Sequence, residues 1–166
     1  MERERILSVA VLVFLVGAAG LVAVQAGYLP NPAADAHDRA RVTVVDEGGE
    51  ELAVVDARVA DTPRERRIGL GETDSLENGS GMLFVLDAED EHVFVMRNMD
   101  FPIDIVYADA NGTITRIHHA REPPPGVDGE SLRYPGYGKY VLEVPRGYAN
   151  ATGMDEGDRI EIEYAD

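Results

Sequence analysis

Ile103-Asp104-Ile105-Val106-Tyr107-Ala108-Asp109, then Asn111-Gly112, then Thr113-Ile114-Thr115-Arg116-Ile117-His118-His119 is the stretch that decides the fold. Two runs rich in β-branched residues flank an Asn-Gly pair, a strong short-range hairpin signal because both residues tolerate positive φ. The same grammar extends outward. Arg41–Val45 and Glu51–Val59 flank Asp46-Glu47-Gly48-Gly49, a second hairpin signal. Gly81–Leu86 and His92–Met96 precede the central pair, and Lys139–Val144 and Arg159–Tyr164 follow it, for about eight strands. Arg159-Ile160-Glu161-Ile162-Glu163-Tyr164 alternates as a strand with one wet face does. Thr62-Pro63-Arg64-Glu65 is a capping box with proline in the first turn, predicting a short helix ended by Gly69 or Gly71. Arg146–Thr152 predicts another, stopped by Gly153. The expected fold is mainly β, an antiparallel sandwich or barrel-like domain with two short helices. Ala120–Gly138, with Pro123-Pro124-Pro125 and four glycines, is expected as a long structureless loop.

The N-terminal segment has a different character. Ile6 to Leu29 carries no charge, and Ile6–Ala26 is long enough as a helix to span a hydrocarbon core of about 30 Å. Arg3 and Arg5 precede it directly, so the positive-inside rule keeps the N-terminus in the cytoplasm and sends the bulk outside. Residues 1–29 are therefore expected as a membrane anchor of a single-pass protein, 30–40 as a tether, and 41–166 as an exported domain. The alternative is secretion after signal cleavage near Ala26, where Val24 and Ala26 form a small-x-small site. Asn78, Asn111 and Asn150 open N-x-S/T sequons and are candidate glycan acceptors, while Asn78-Gly79 and Asn111-Gly112 also read as turns.

Charge and composition exclude several functions. The 166 residues carry 31 acidic and 15 basic side chains, a net charge of −16, and Lys139 is the only lysine. Such a chain repels nucleic acid. A dense, scattered carboxylate surface is what a protein of a salt-adapted cell needs to remain hydrated. The absence of Cys removes disulfides, thiol catalysis and Cys-ligated metals. No HExxH, GxSxG, P-loop or GxGxxG pattern occurs, and no cofactor is expected.

A longer pattern runs through the domain. Ala60-Asp61-Thr62-Pro63 leads to Arg66-Arg67-Ile68-Gly69-Leu70, Gly81-Met82-Leu83-Phe84-Val85 and Phe94-Val95-Met96-Arg97-Asn98. Pro102-Ile103-Asp104-Ile105, the Asp109–Gly112 turn, Tyr140-Val141-Leu142-Glu143, Gly147 and Gly157-Asp158-Arg159 follow. In order and spacing, residues 58–164 resemble the prokaryotic family catalogued as domain of unknown function 192, whose members are mostly exported or membrane-tethered. The resemblance implies a mainly-β sandwich and implies no activity. The family commonly has Trp where Val95 stands, Lys where Arg97 stands and Thr where Met99 stands, so ligand contacts there are expected to differ.

Polar residues embedded in apolar strands are the candidates for chemistry. Asp104 lies between Ile103 and Ile105, and a carboxylate there is costly unless paired. It is either a pocket acid or a structural ion pair, with Arg67 and Arg97 as expected partners. Arg67, Met96, Asn98 and Asp104 are expected to converge as a ligand site, bordered by a lid bearing Arg121 and Tyr134. His92, Phe94, Met96 and Asn98 share one strand face, so His92 and Met96 form a candidate soft-metal pair. His118 and His119 point to opposite faces and cannot share an ion. The leading function is a non-enzymatic, membrane-tethered binding or accessory module. The alternatives are a carboxylate-dependent hydrolase or carbohydrate-active enzyme using Asp104 with Glu143, and a soft-metal carrier.

Overall fold

The computed structural model describes residues 39–165. The expected membrane anchor, the cleavage site near Ala26 and most of the tether lie outside the described residues. Among those described, no helix is long and apolar enough to cross a membrane.

Seven strands form one sheet: β1 (Arg39–Val45), β2 (Glu51–Ala60), β3 (Ser80–Val95), β4 (Ile103–Ala108), β5 (Ile114–Ala120), β6 (Arg133–Pro145) and β7 (Arg159–Tyr164). Their order is β5-β4-β6-β3-β2-β1-β7. Helix α1 (Pro63–Ile68), a 3-10 turn (Gly129–Ser131) and helix α2 (Tyr148–Thr152) complete the elements. The fold is mainly β with two short helices, as expected. It differs in being a single, open, mixed sheet. β2 and β3 pair in parallel, Asp56 opposite Ser80 and Ala60 opposite Phe84. Parallel neighbours need a crossover, and α1 supplies it. Its capping box starts directly after β2: Glu65 N donates to Thr62 Oγ1 at 3.2 Å and Thr62 N to Glu65 Oε2 at 3.0 Å. Gly69 closes the helix at φ 53°, a conformation glycine adopts without cost. The two edges of the sheet meet at one end, where Thr113 bridges Arg159, Ile114 N donates to Asp158 O at 2.7 Å and Ile160 N donates to Gly112 O at 2.8 Å, so the sheet curls toward a barrel without a continuous closing ladder.

Both faces of the central strands are covered. On one, Val42, Val55, Val106, Leu142 and Val144 pack with Ala149 and Met154. On the other, Met82, Phe84, Ile105, Tyr107 and Val141 pack with Leu70, Met96 and Met99. That is why all six residues of β4 are buried, Asp104 included, and why the segment reads as a nearly unbroken apolar run.

The second cover is an arm. The runs expected as two strands, Gly81–Leu86 and His92–Met96, form one 16-residue strand with a register irregularity between Val85 and Asp90. The lone lysine serves that bend, Lys139 Nζ donating to Leu86 O at 2.5 Å and Asp87 O at 3.2 Å. Beyond it, Asp90–Val95 pairs with Arg133–Gly138, so the second half of the expected loop is strand. Its glycines resemble loop residues in the sequence, yet they serve packing. A Cβ on Gly136 would lie 2.6 Å from the Tyr107 ring, so only glycine lets the arm lie flat on that ring. The Tyr107 hydroxyl donates to Tyr134 O at 2.6 Å and accepts from Phe94 N at 3.2 Å, stitching arm to sheet.

Candidate functional site

Between α1, the arm and the sheet lies a cavity of about 280 Å³. Leu70, Phe84, Leu86, Phe94 and Met99 form apolar walls. Phe84 and Phe94 meet edge to face at 4.9 Å, which sets the shape of one wall. Alternation on β6 decides the floor. Glu143 stands opposite Ile105 and Met82, on the same face as Val141, so its side chain enters the apolar side of the sheet. It is 4% exposed, and among the described residues its carboxyl has no hydrogen-bond or ion-pair partner. Burial pushes that carboxyl up to about 8, favouring the protonated form at neutral pH. An unsatisfied buried carboxyl costs about 1–3 kcal/mol or more, which makes it the most unusual group in the domain.

Arginines stand around the opening. Arg66 is committed, donating to Val85 O at 2.8 Å and to both oxygens of Asp87 at 2.9 and 3.0 Å. Arg97 pairs with Glu130 at 2.5 Å and reaches Arg67 O at 3.4 Å. Arg67 is exposed, and its guanidinium has no partner among the described residues. Of the positions where the chain departs from the pattern of the family it resembles, Val95, Arg97 and Met99 all line this cavity.

Asp104 belongs elsewhere. It stands opposite Val144, so it points to the face opposite Glu143. Its Oδ1 accepts from His119 Nδ1 at 2.7 Å and Arg146 Nη1 at 3.3 Å. Its Oδ2 accepts from the backbone N–H groups of Gly147 at 2.9 Å and Ala149 at 3.1 Å. The carboxylate is 0% exposed and fully partnered: it anchors the start of α2 to β4 and β5. The expected pairing with Arg67 or Arg97 is not formed, nor is the convergence of Arg67, Met96, Asn98 and Asp104. Two carboxylates on opposite faces of one sheet cannot flank a single glycosidic bond, so Asp104 and Glu143 do not make the hydrolytic pair.

The remaining candidates are scattered. Met96 is buried among apolar residues, and the His92 ring donates from Nε2 to Ala88 O at 3.1 Å. Among the described residues no group of three His, Cys, Asp or Glu could hold a metal. Asn98 is exposed and takes φ 55°, a left-handed turn that Asn tolerates, beside Gly71. Tyr134 lies on β6 and tilts against His118, its hydroxyl accepting from the exposed Arg121 N at 3.2 Å. Neither Arg121 nor Tyr134 lines the cavity, so they form no lid over it. His118 and His119 face opposite ways, as expected: the former donates to Pro135 O at 2.7 Å, the latter to Asp104. Asn78, Asn111 and Asn150 are all exposed.

Sequence reasoning named Glu143 only as an accessory acid and missed its isolation. The signal was there: one carboxylate inside Tyr140-Val141-Leu142-Glu143-Val144, the same anomaly as at Asp104. What separates the two is their partners, and those come from distant segments.

The profile of the family catalogued as domain of unknown function 192, described as Uncharacterized ACR, matches residues 43–162. A Sinorhizobium meliloti 1021 protein provisionally labelled a transcription regulator has a similar structure. Its TM-score is 0.68 at 25% identity, covering 76% of this chain and 95% of that one. A protein of unknown function from Novosphingobium aromaticivorans DSM 12444 gives 0.67 at 27% identity, covering 80% and 91%. No curated protein matches the chain.

Proposed function

The chain belongs to the family catalogued as domain of unknown function 192, and on that premise we propose that it is a non-enzymatic, membrane-tethered module that holds a small ligand outside a salt-adapted cell. One observation carries the reading: the buried Glu143 carboxyl, without a partner among the described residues, at the floor of a cavity of about 280 Å³ with apolar walls. Stable folds rarely keep such a group unsatisfied, whereas ligand pockets place a few polar groups among apolar walls. The tether is supported by the uncharged Ile6–Leu29 run behind Arg3 and Arg5, and the setting by the net charge of −16. The regulator label of the Sinorhizobium protein finds no support in that charge, since contact with nucleic acid draws on basic surface.

The test is recovery of the ligand. Full-length protein is purified from its own membranes and denatured, and the released small molecules are weighed by mass spectrometry. A compound recovered in near-equal amount from wild type and lost from Glu143→Leu is expected. Equal recovery from both, or none from wild type, sinks the reading. Protease added to intact cells should remove the domain and leave the anchor in the membrane fraction. Release of a domain beginning near Gly27 would replace tethering by secretion.

A further inference from the structure

We infer that the cavity takes a small amphipathic carboxylic acid, its anionic group on Arg67 at the opening and a second polar group on Glu143 at the floor. The inference rests on reading the cavity as a ligand site and specifies what fills it.

Size comes first. An apolar cavity of about 150 Å³ holds benzene, so about 280 Å³ holds roughly eleven non-hydrogen atoms. The walls of Leu70, Phe84, Leu86, Phe94 and Met99 call for an apolar body, aromatic or branched, between two polar ends.

Charge decides which ends. Arg66, Arg67 and Arg97 all line the cavity, in a chain whose net charge is −16. Arg66 is held by Asp87 and two carbonyls, and Arg97 shares its charge with the exposed Glu130. Arg67 has five donors and no partner among the described residues, and its planar fork matches a carboxylate bidentately. A ligand amine could pair with Glu143, but it would have to pass and remain beside the Arg67 guanidinium, which has no counter-charge among the described residues. That juxtaposition selects against cations. At the floor, a protonated carboxyl offers one donor and one acceptor, which suits a hydroxyl or carbonyl on the ligand.

Three near-isosteric probes separate the possibilities: 4-hydroxyphenylacetate, its neutral amide, and tyramine. Each is titrated by calorimetry into the full-length chain reconstituted in lipid nanodiscs. The anion is expected to bind about tenfold tighter than the amide, with tyramine weakest. Arg67→Gln should abolish the preference for the anion over the amide, and Glu143→Leu should weaken both. Preference for tyramine or the amide overturns the ligand class while the cavity remains a binding site. An anion preference that survives in Arg67→Gln overturns the assigned contact. Binding by none of the three overturns the ligand class and counts against the cavity itself.

Discussion

At the scale of single residues, two buried carboxyls behave oppositely because their surroundings do. Asp104 accepts four hydrogen bonds and joins β4, β5 and the start of α2. Asp104→Asn replaces an acceptor by a donor facing two backbone N–H groups, His119 and Arg146. A loss of about 3–5 kcal/mol is expected, read as a lower denaturant midpoint at unchanged slope. A loss under about 1 kcal/mol, the worth of an ordinary hydrogen bond, would show that the anchor is dispensable. Glu143 carries the reverse signature. Its folded value of about 8 lies above the ordinary 4.5, so the native state holds an extra proton between those values. By linkage, the stability from this group is complete below about pH 4.5 and is lost as pH rises toward 8. Glu143→Gln should therefore gain on wild type across that window, by an amount on the order of a few kcal/mol. Melting curves of both proteins from acid to mildly alkaline pH should diverge there. Parallel curves would mean the carboxyl is paired or wet.

At the scale of elements, the arm matters most, since it roofs the second core cluster and supplies Phe94 and Val95 to the cavity. Its seat is the contact of Gly136 with Tyr107. Gly136→Val should destabilise by about 1–3 kcal/mol through overpacking and expose the arm. Amide exchange at 90–95 and 133–138 should rise more than in β1 and β2. Uniform change across the sheet would contradict an arm that opens separately. The two hairpins and both helices are legible in the sequence because their signals are local: Asn111-Gly112, the Thr62 capping box and Gly153 act within a few residues. The arm was not legible. Pro135, Gly136 and Gly138 carry loop chemistry, and their place in a strand depends on a ring contributed by β4.

At the scale of the whole molecule, the carboxylate excess governs how the domain responds to its solvent. Crowded like charges oppose compaction, and salt screens them over a few Å at molar strength. The melting temperature of the full-length protein is expected to climb steadily from dilute buffer to molar potassium chloride. A midpoint independent of salt would remove salt adaptation as the reason for the composition. The gain should be largest for variants that add carboxylates and smallest for those that remove them.

The two hairpin turns, the capped helix, the mainly-β class and the family resemblance were all determined by the sequence alone, since each depends on residues adjacent in the chain or on their order. Alternation also placed His118 and His119 on opposite faces. The parallel pairing of β2 with β3, the roofing arm and the partners of the buried carboxyls were decided only by tertiary structure. Asp104 meets Arg146 across 42 positions, and Arg66 meets Asp87 across 21. Such pairs follow from strand register and from which apolar clusters close first. No local signal encodes them, and so the same anomaly, a lone acid in an apolar strand, became an anchor at one position and an open floor at the other.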